Sequence, residues 1–598
     1  MAKLPLHPPR GRDVYRYGLF GLLLAILVVT LVWPIVLTVQ GGFRDPAGGL
    51  TLRYVAHVFE NPVYVEGLIN SLLIAVFTTI LCLLLAMPLA VLAARYEFRG
   101  KAIVTSVVLV PLILPPFVGA IGMRALLGQF GAVNTVLMHL GWLTPGEPGI
   151  DFLGGAVGGR FWSVVVMEAL HLYPILYLNV TAALANLDPS LEEAALNLGA
   201  GRVRRFFKCT LPLILPGIFA GTTIVFIWSF TELGTPLMFD YYRVTPVQVF
   251  WGINEVAENP RPYALVVVML AVAGACYLIG RLLLGGRGYA MEGKATVAAT
   301  TQRLRGWRGG AALGAFLFVT LLAVLPHIGV VLNSFSAEGA WYRSVVPRDW
   351  TLSHYSGALS HELSATAIQN SLLYALAAMV LAIALGLAIS YLVVRAKVRG
   401  GWLLDTLAML PLAVPGLVMA FGYVAMSLAW PFEPLRNGEG EVILPALLPF
   451  IGVVGENPNP IPLLIVAYAI RRLPYIVRSA AAGLEQTSGS LEEAALNLGA
   501  SPMLAIRRIV VPLIMANLIA GGILVFSFAM LEVSDSLILA QKLEHFPITK
   551  AIYTLFQRLG DGRYIASAMG VWGMALLTVT LIGASVLLGK RLGAIFRV

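Results

Sequence analysis

Apolar runs of about 20 residues recur along the whole chain, the length a helix needs to cross the ~30 Å hydrocarbon layer of a bilayer. They are Tyr17 to Thr38, Leu68 to Ala94, Ile103 to Met123, Trp162 to Leu184, Ile214 to Leu233 and Tyr263 to Leu284. A second series follows: Ala311 to Leu332, Ser371 to Val394, Leu403 to Met426, Ile461 to Ala482, Leu513 to Leu531 and Ile565 to Leu588. With 58% of residues hydrophobic and 12% charged, the solvent these runs address is lipid. Their length and unbroken apolarity specify helices, since barrel strands would alternate over about 10 residues. The expected fold is an all-α integral membrane protein with about 12 transmembrane helices.

A net charge of +10 invites a polyanion partner, but the placement of the charge gives a simpler reason. With the amino terminus inside, Lys3, Arg10, Arg12 and Arg16, then Arg95, Arg99 and Lys101, and finally Lys590, Arg591 and Arg597 all fall on the cytoplasmic side. Membrane topology accounts for the basicity, and no nucleic acid is expected. The first apolar run follows a basic segment, but it is too long for a signal peptide and lacks a small-residue cleavage site, so it is expected to be retained. Cys82, Cys209 and Cys276 have neither disulfide nor metal-site spacing.

The chain also contains its own homologue. Leu191 to Ala200 and Leu491 to Ala500 are the same decapeptide, LEEAALNLGA, at an offset of 300 residues. That offset also aligns Asn70-Ser71-Leu72-Leu73 with Asn370-Ser371-Leu372-Leu373, Arg99-Gly100 with Arg399-Gly400, Pro111 and Pro115 with Pro411 and Pro415, and Pro212 with Pro512. An even number of helices per half gives both halves one orientation, a parallel repeat of two six-helix bundles with the pathway between them. The expected division is 1–284, a cytoplasmic linker over 285–310, and 311–598.

Each decapeptide lies in a cytoplasmic loop between the fourth and fifth helices. Ser190 with Glu193, and Ser490 with Glu493, match the S-x-x-E capping box that starts a helix. Gly199 and Gly499 stand where a left-handed residue would stop it. Ser501-Pro502 supplies a second start. The result is a helix, a bend and a helix that re-enters the bilayer near Pro212 or Pro512. Leu191, Ala194, Ala195 and Leu198 would then be available to a partner's groove. Arg204, Arg205, Lys208, Arg507 and Arg508 beside it read either as positive-inside residues or as partner contacts.

These residues resemble the signature of binding-protein-dependent ABC import permeases: Glu-Ala-Ala, three residues, Gly, nine residues, then Ile-x-Leu-Pro. Here it is Glu193-Ala194-Ala195, Gly199 and Leu211-Pro212, and again Glu493-Ala494-Ala495, Gly499, Ile509 and Pro512. Cys209 stands for the isoleucine in the first copy and Val511 for the leucine in the second. The resemblance implies that the loops receive motion from a separate ABC ATPase homodimer, which would carry the ATP and magnesium. It also implies an extracytoplasmic solute-binding protein and a bacterial inner membrane, with both termini cytoplasmic. No cofactor, catalytic residue or metal ligand is expected on this chain. Gly288 to Lys294 mimics a phosphate-binding loop, but Ala295 occupies the magnesium-ligating position and a helix, not a strand, precedes it.

Ionisable residues inside membrane helices are candidates for the pathway. They are Glu168 and His171, Glu232, Arg471 and Arg472, and Glu532 and Asp535, with Glu232 equivalent to Glu532 and His171 to Arg471. Pairing of Arg471 with Glu532 or Asp535 is the plainer reading, and a gate or solute contact the sharper one. Pro111, Pro115, Pro116, Pro411 and Pro415 should break or kink the third and ninth helices. Fusion of both halves, with Phe230-Thr231-Glu232-Leu233-Gly234-Thr235-Pro236, is similar to ferric-iron permeases; thiamine, aminophosphonate and polyamine remain alternative cargoes. A secondary transporter would share the helix count but has no need of the doubled loop. A membrane enzyme would need a catalytic constellation that the sequence lacks.

Overall fold

A computed structural model describes residues 10–45, 49–144, 147–154, 159–256, 258–282, 302–437, 441–455 and 458–587. Helices satisfy their backbone groups internally, as hydrocarbon requires. Among these residues nine helices are long and apolar enough to cross a membrane, or eleven if each of two sharply bent pairs is one span. The tenth expected span, Ile461–Gln486, is a helix of 26 residues that falls outside this count because it carries Arg471, Arg472 and Arg478.

The first half supplies Val14–Gly42, Pro62–Arg95, the broken third element Lys101–Ile113 and Pro116–Leu127, then Gly159–Ala185, Val203–Phe230 and Arg261–Gly280. The second repeats the order: Trp307–Phe335, Glu362–Arg395, the broken Gly401–Leu412 and Gly416–Ser427, Ile461–Gln486, the bent Pro502–Leu513 and Met515–Met530, and Gly562–Leu587. Both third elements break at the expected prolines, the second by 106°. The cause is local. Pro115 has no amide to offer the carbonyl of Pro111 four residues back, so that carbonyl needs another partner. His171 supplies one, with Nδ1 at 2.8 Å. Before Pro212 and Pro512 the missing donor coincides with a widened π turn, Phe206–Thr210 and Ile506–Val510, at the same place in each half.

The halves interlock by exchanging their first helices. Val14–Gly42 packs on Gly416–Ser427, where Pro34 lies so close to Gly422 that a Cβ there would sit 2.9 Å from the proline. Tyr423 donates to the Thr30 carbonyl at 2.7 Å across the same contact. Trp307–Phe335 makes the matching contact on Pro116–Leu127, with the Pro326 carbonyl 1.9 Å from where a Cβ of Gly122 would lie. Glycine is required at both crossings because backbone meets backbone. Of the linker expected over 285–310, residues 285–301, with the phosphate-loop mimic, lie outside the described residues. Gln302–Arg303 then pairs in parallel with Tyr96–Glu97, tying the start of the second half to a corner of the first.

Candidate functional site

Two regions at opposite ends of the bundle concern the expected site residues. At one end lie the decapeptide helices, Pro189–Asn197 and Ser490–Asn497. Gly199 and Gly499 end them with φ of 78° and 89°, the left-handed conformation expected. Ser501 caps the next helix by accepting from the Leu504 amide, with Pro502 first in it. The capping boxes, however, are not formed among the described residues. In the first copy Asp188-Pro189 starts the helix two residues early, and Asp188 accepts from the Ser190 amide at 2.9 Å. In the second, Ser490 is already helical and the Ser488 hydroxyl accepts from its amide at 3.3 Å. Glu193 and Glu493 are therefore free of capping duty and stand exposed, beside exposed Ala194 and Ala494 and half-buried Ala195 and Ala495.

The carboxylate that anchors each helix is its neighbour, which the sequence reading passed over. Glu192 pairs with Arg95, at the end of the second helix, and accepts from Thr210 at 2.6 Å; Arg95 also donates to Thr210 at 3.1 Å. Glu492 is buried and accepts from Tyr391. Arg395, equivalent to Arg95, turns away to the Thr487 carbonyl and hydroxyl, both at 2.6 Å. A signal was available: Arg95 and Arg395 recur at the repeat offset, and the acid recurs inside the identical decapeptide. The outward faces stay apolar, with Leu198 88% and Leu498 89% exposed, joined by Leu191, Val203 and Phe207 in one copy and Leu491 and Met503 in the other. Arg204, Lys208, Arg507 and Arg508 surround them, exposed.

At the far end, where the fifth helices finish, the two halves meet. Gly234 lies against Val533, close enough that a Cβ would be 2.7 Å from it. Arg471 bridges Glu532 at 2.8 Å and Asp535 at 3.4 Å, and Arg472 pairs with the other oxygen of Glu532. The Arg471 guanidinium lies over Gly416, where a Cβ would sit 2.0 Å from it; the first half has Pro116 there. Glu532 and Asp535 are buried, so each guanidinium is what keeps a carboxylate tolerable away from water.

The equivalent first-half residues do not join this network. Glu232 folds back to accept from the Gly234 and Thr235 amides at 3.1 and 3.3 Å, with the charges of Arg471 and Glu532 within reach across the seam. Glu168 is buried against Ser229 on the fifth helix, with its second oxygen unpartnered among the described residues. His171 holds the proline-freed carbonyl already described. Of the seven residues, the structure thus brings together Arg471, Arg472, Glu532 and Asp535, sets Glu232 beside them, and leaves Glu168 and His171 inside the first bundle.

The chain is similar to the putative ferric transport system permease protein FbpB 1 of Haemophilus influenzae, 28% identical over 494 residues that span 81% of this chain and 70% of that one. It is likewise similar to the ferric transport system permease protein FbpB of Actinobacillus pleuropneumoniae, 28% identical over 535 residues, 86% of this chain and 69% of the relative. The molybdenum transport system permease protein ModB of Escherichia coli K12 is 33% identical over 223 residues, 36% of this chain and 92% of its own length. The model of the binding-protein-dependent transport system inner membrane component matches twice, over residues 86–287 and 378–594. Two matches that together span more than half of the chain, one on each repeat, show that it belongs to the family of binding-protein-dependent ABC importer permeases, in the fused two-half form.

Proposed function

We propose that the chain forms the solute pathway of a ferric-iron importer and receives its power stroke through Glu193, Ala194, Ala195 and Gly199 and through Glu493, Ala494, Ala495 and Gly499. Residues 1–284 and 311–598 supply the two halves, with both termini on the ATPase side. ATP and magnesium sit on a homodimeric ATPase that docks on both knobs. A solute-binding protein delivers cargo to the opposite face. There Arg471, Arg472, Glu532, Asp535 and Glu232 close the seam between the halves, with Glu168 and His171 supporting it from the first bundle.

The observation that carries this reading is the doubled knob. Two helices of identical sequence over the decapeptide, both ended by a left-handed glycine and both apolar outside, suit two identical grooves, which a homodimer presents. A carrier driven by protons or sodium has no use for such a pair. Ferric iron is the cargo in the names of the two long relatives. Uptake of radiolabelled ferric iron by vesicles holding the assembled transporter tests the cargo, with molybdate and 2-aminoethylphosphonate as competitors. Iron uptake at least tenfold above both is expected; uptake of an oxyanion in its place would replace the cargo and leave the pathway.

A further inference from the structure

Two short helices, Thr245–Trp251 and Ile548–Phe556, stand between the fifth and sixth helices of their halves and have no role so far. Both are held in the same way. The Thr245 amide donates to the Ser71 hydroxyl at 2.9 Å, and the Ile548 amide to the Ser371 hydroxyl at 2.7 Å. Just before them the Arg243 carbonyl accepts from Asn70 at 2.8 Å, and the Phe546 carbonyl from Asn370 at 3.2 Å. Both anchors set the local offset between these helices at 303 residues, so the counterpart of Phe250 is Tyr553. These counterparts touch. Their ring centres are 6.4 Å apart with planes at 88°, an edge-to-face pair made across the two halves.

The exchange of first helices is reciprocal: Pro34 meets Gly422 and Pro326 meets Gly122. Reciprocity of that kind is the mark of a two-fold relation, under which a residue reaches its own mate only beside the axis. Glu232 and Glu532 are a second such pair, near enough across the seam to feel each other's charge. The axis of a parallel repeat runs along the membrane normal between the halves, and the pathway lies on it. The depth of the ring pair follows from Gln248, which donates at 2.7 Å to the Val63 carbonyl in the first turn of the second helix. Arg95, at the other end of that helix, grips the first knob. Phe250 and Tyr553 therefore meet on the axis at the mouth opposite the knobs. Lys550 lies over the Phe250 ring at 5.1 Å, but its counterpart is Val247, so it marks no axis and supports the ring from one side.

We propose that Phe250 and Tyr553 form the constriction that shuts the outer mouth of the pathway on its axis, a reading that rests on the pathway assigned above. The contact is one ring edge on one ring face. It keeps water and free ions off the axis while the halves touch, and parting the halves there breaks no ion pair. The carboxylates and guanidiniums of Arg471, Arg472, Glu532 and Asp535 lie within the second half and can stay paired as the rings separate.

The test uses the full chain assembled with its ATPase and binding protein in membrane vesicles. Phe250→Cys and Tyr553→Cys are combined, with Cys82, Cys209 and Cys276 replaced by serine, and the pair is bridged by a short bifunctional methanethiosulfonate that dithiothreitol cleaves. ATP hydrolysis stimulated by the binding protein should fall at least tenfold on bridging and return on reduction. A bridge that forms and leaves stimulation intact, or a pair too far apart to bridge, would overturn the constriction. Labelling of each single variant by a membrane-impermeant methanethiosulfonate, from the face opposite the knobs, decides the matter even if the double variant is inactive. Arrest with ATP and vanadate should raise both rates at least tenfold and leave that of Leu543→Cys, an exposed position, unchanged; rates at 250 and 553 that do not move would again overturn it. The chain with its natural cysteines separates the two readings. If the binding protein stimulates its hydrolysis, a failed bridge or flat labelling removes the constriction alone, whereas a chain never stimulated removes the pathway reading and the constriction with it.

Discussion

At the first knob an arginine, Arg95, grips the anchoring acid Glu192 together with Thr210; at the second a tyrosine, Tyr391, grips Glu492 while Arg395 holds Thr487. The outward faces of the same two knobs are identical in sequence over ten residues. On the proposed function, identity is kept where one symmetric partner would read both copies and lost where each copy faces its own half. The far end follows the same rule. Repeat-equivalent positions carry His171 and Arg471, Leu172 and Arg472, Thr235 and Asp535, so the ionic network belongs to the second half alone. A seam needs two unlike surfaces that fit each other, whereas a coupling end needs two alike.

The largest expected difference between the halves is at the seam. Arg471→Ala leaves Asp535 and one oxygen of Glu532 buried without their cation, a loss of about 3–5 kcal/mol. His171→Ala removes one hydrogen bond to the Pro111 carbonyl, about 1 kcal/mol. Thermal unfolding in detergent compares them, and equal losses would erase the asymmetry claimed for the seam. At the knobs, Glu192→Ala strands Arg95 and Thr210 and should cost about 2 kcal/mol, against about 1 kcal/mol for Tyr391→Phe, which removes a single donor to Glu492. The ratio of solute-stimulated to basal ATP hydrolysis should fall more for the first.

Gly199→Ala and Gly499→Ala sharpen the comparison from the other side. Neither added methyl group meets an atom within 4 Å, so the penalty is the left-handed backbone alone, about 1 kcal/mol and the same in both copies. Unequal effects on coupled hydrolysis would show that the partner distinguishes the knobs. The smallest difference is at the helix starts. The Ser190 amide holds the exposed Asp188 carboxyl below the usual aspartate range. A depressed carboxyl contributes above its unfolded value and loses that contribution as pH falls through its folded one. Acidification should therefore lower the amide-exchange protection factors of the first knob helix before those of the second, where the Ser488 hydroxyl that accepts from the Ser490 amide does not titrate.

Much of this was legible in the sequence because periodicity and repetition act over long stretches. Twelve apolar runs, a 300-residue register and glycines at 199 and 499 each follow from one physical rule, and the left-handed φ of both glycines agrees with it. The proline breaks were equally readable, since a missing amide has one structural effect. The first capping box misled because S-x-x-E competes locally with Asp188-Pro189, a stronger start that lies just outside the repeated decapeptide; in the second copy the helix instead begins at Ser490 itself, after Gly489. Glu192 was missed because Arg95 is far away in sequence and only the packed loop brings them together. The exchange of first helices was hidden for the same reason: Pro34 with Gly422 and Pro326 with Gly122 are contacts between halves, and apolar periodicity says which face is buried but not against what.

The dependence of transport on an ATPase bound at the two knobs is the claim on which the rest stands. Uptake of labelled ferric iron into proteoliposomes measures it, with the chain reconstituted alone or with its ATPase, binding protein and ATP. The account predicts uptake only in the complete assembly, abolished when Gly199→Val and Gly499→Val are combined. Full-rate uptake by the chain alone would contradict it.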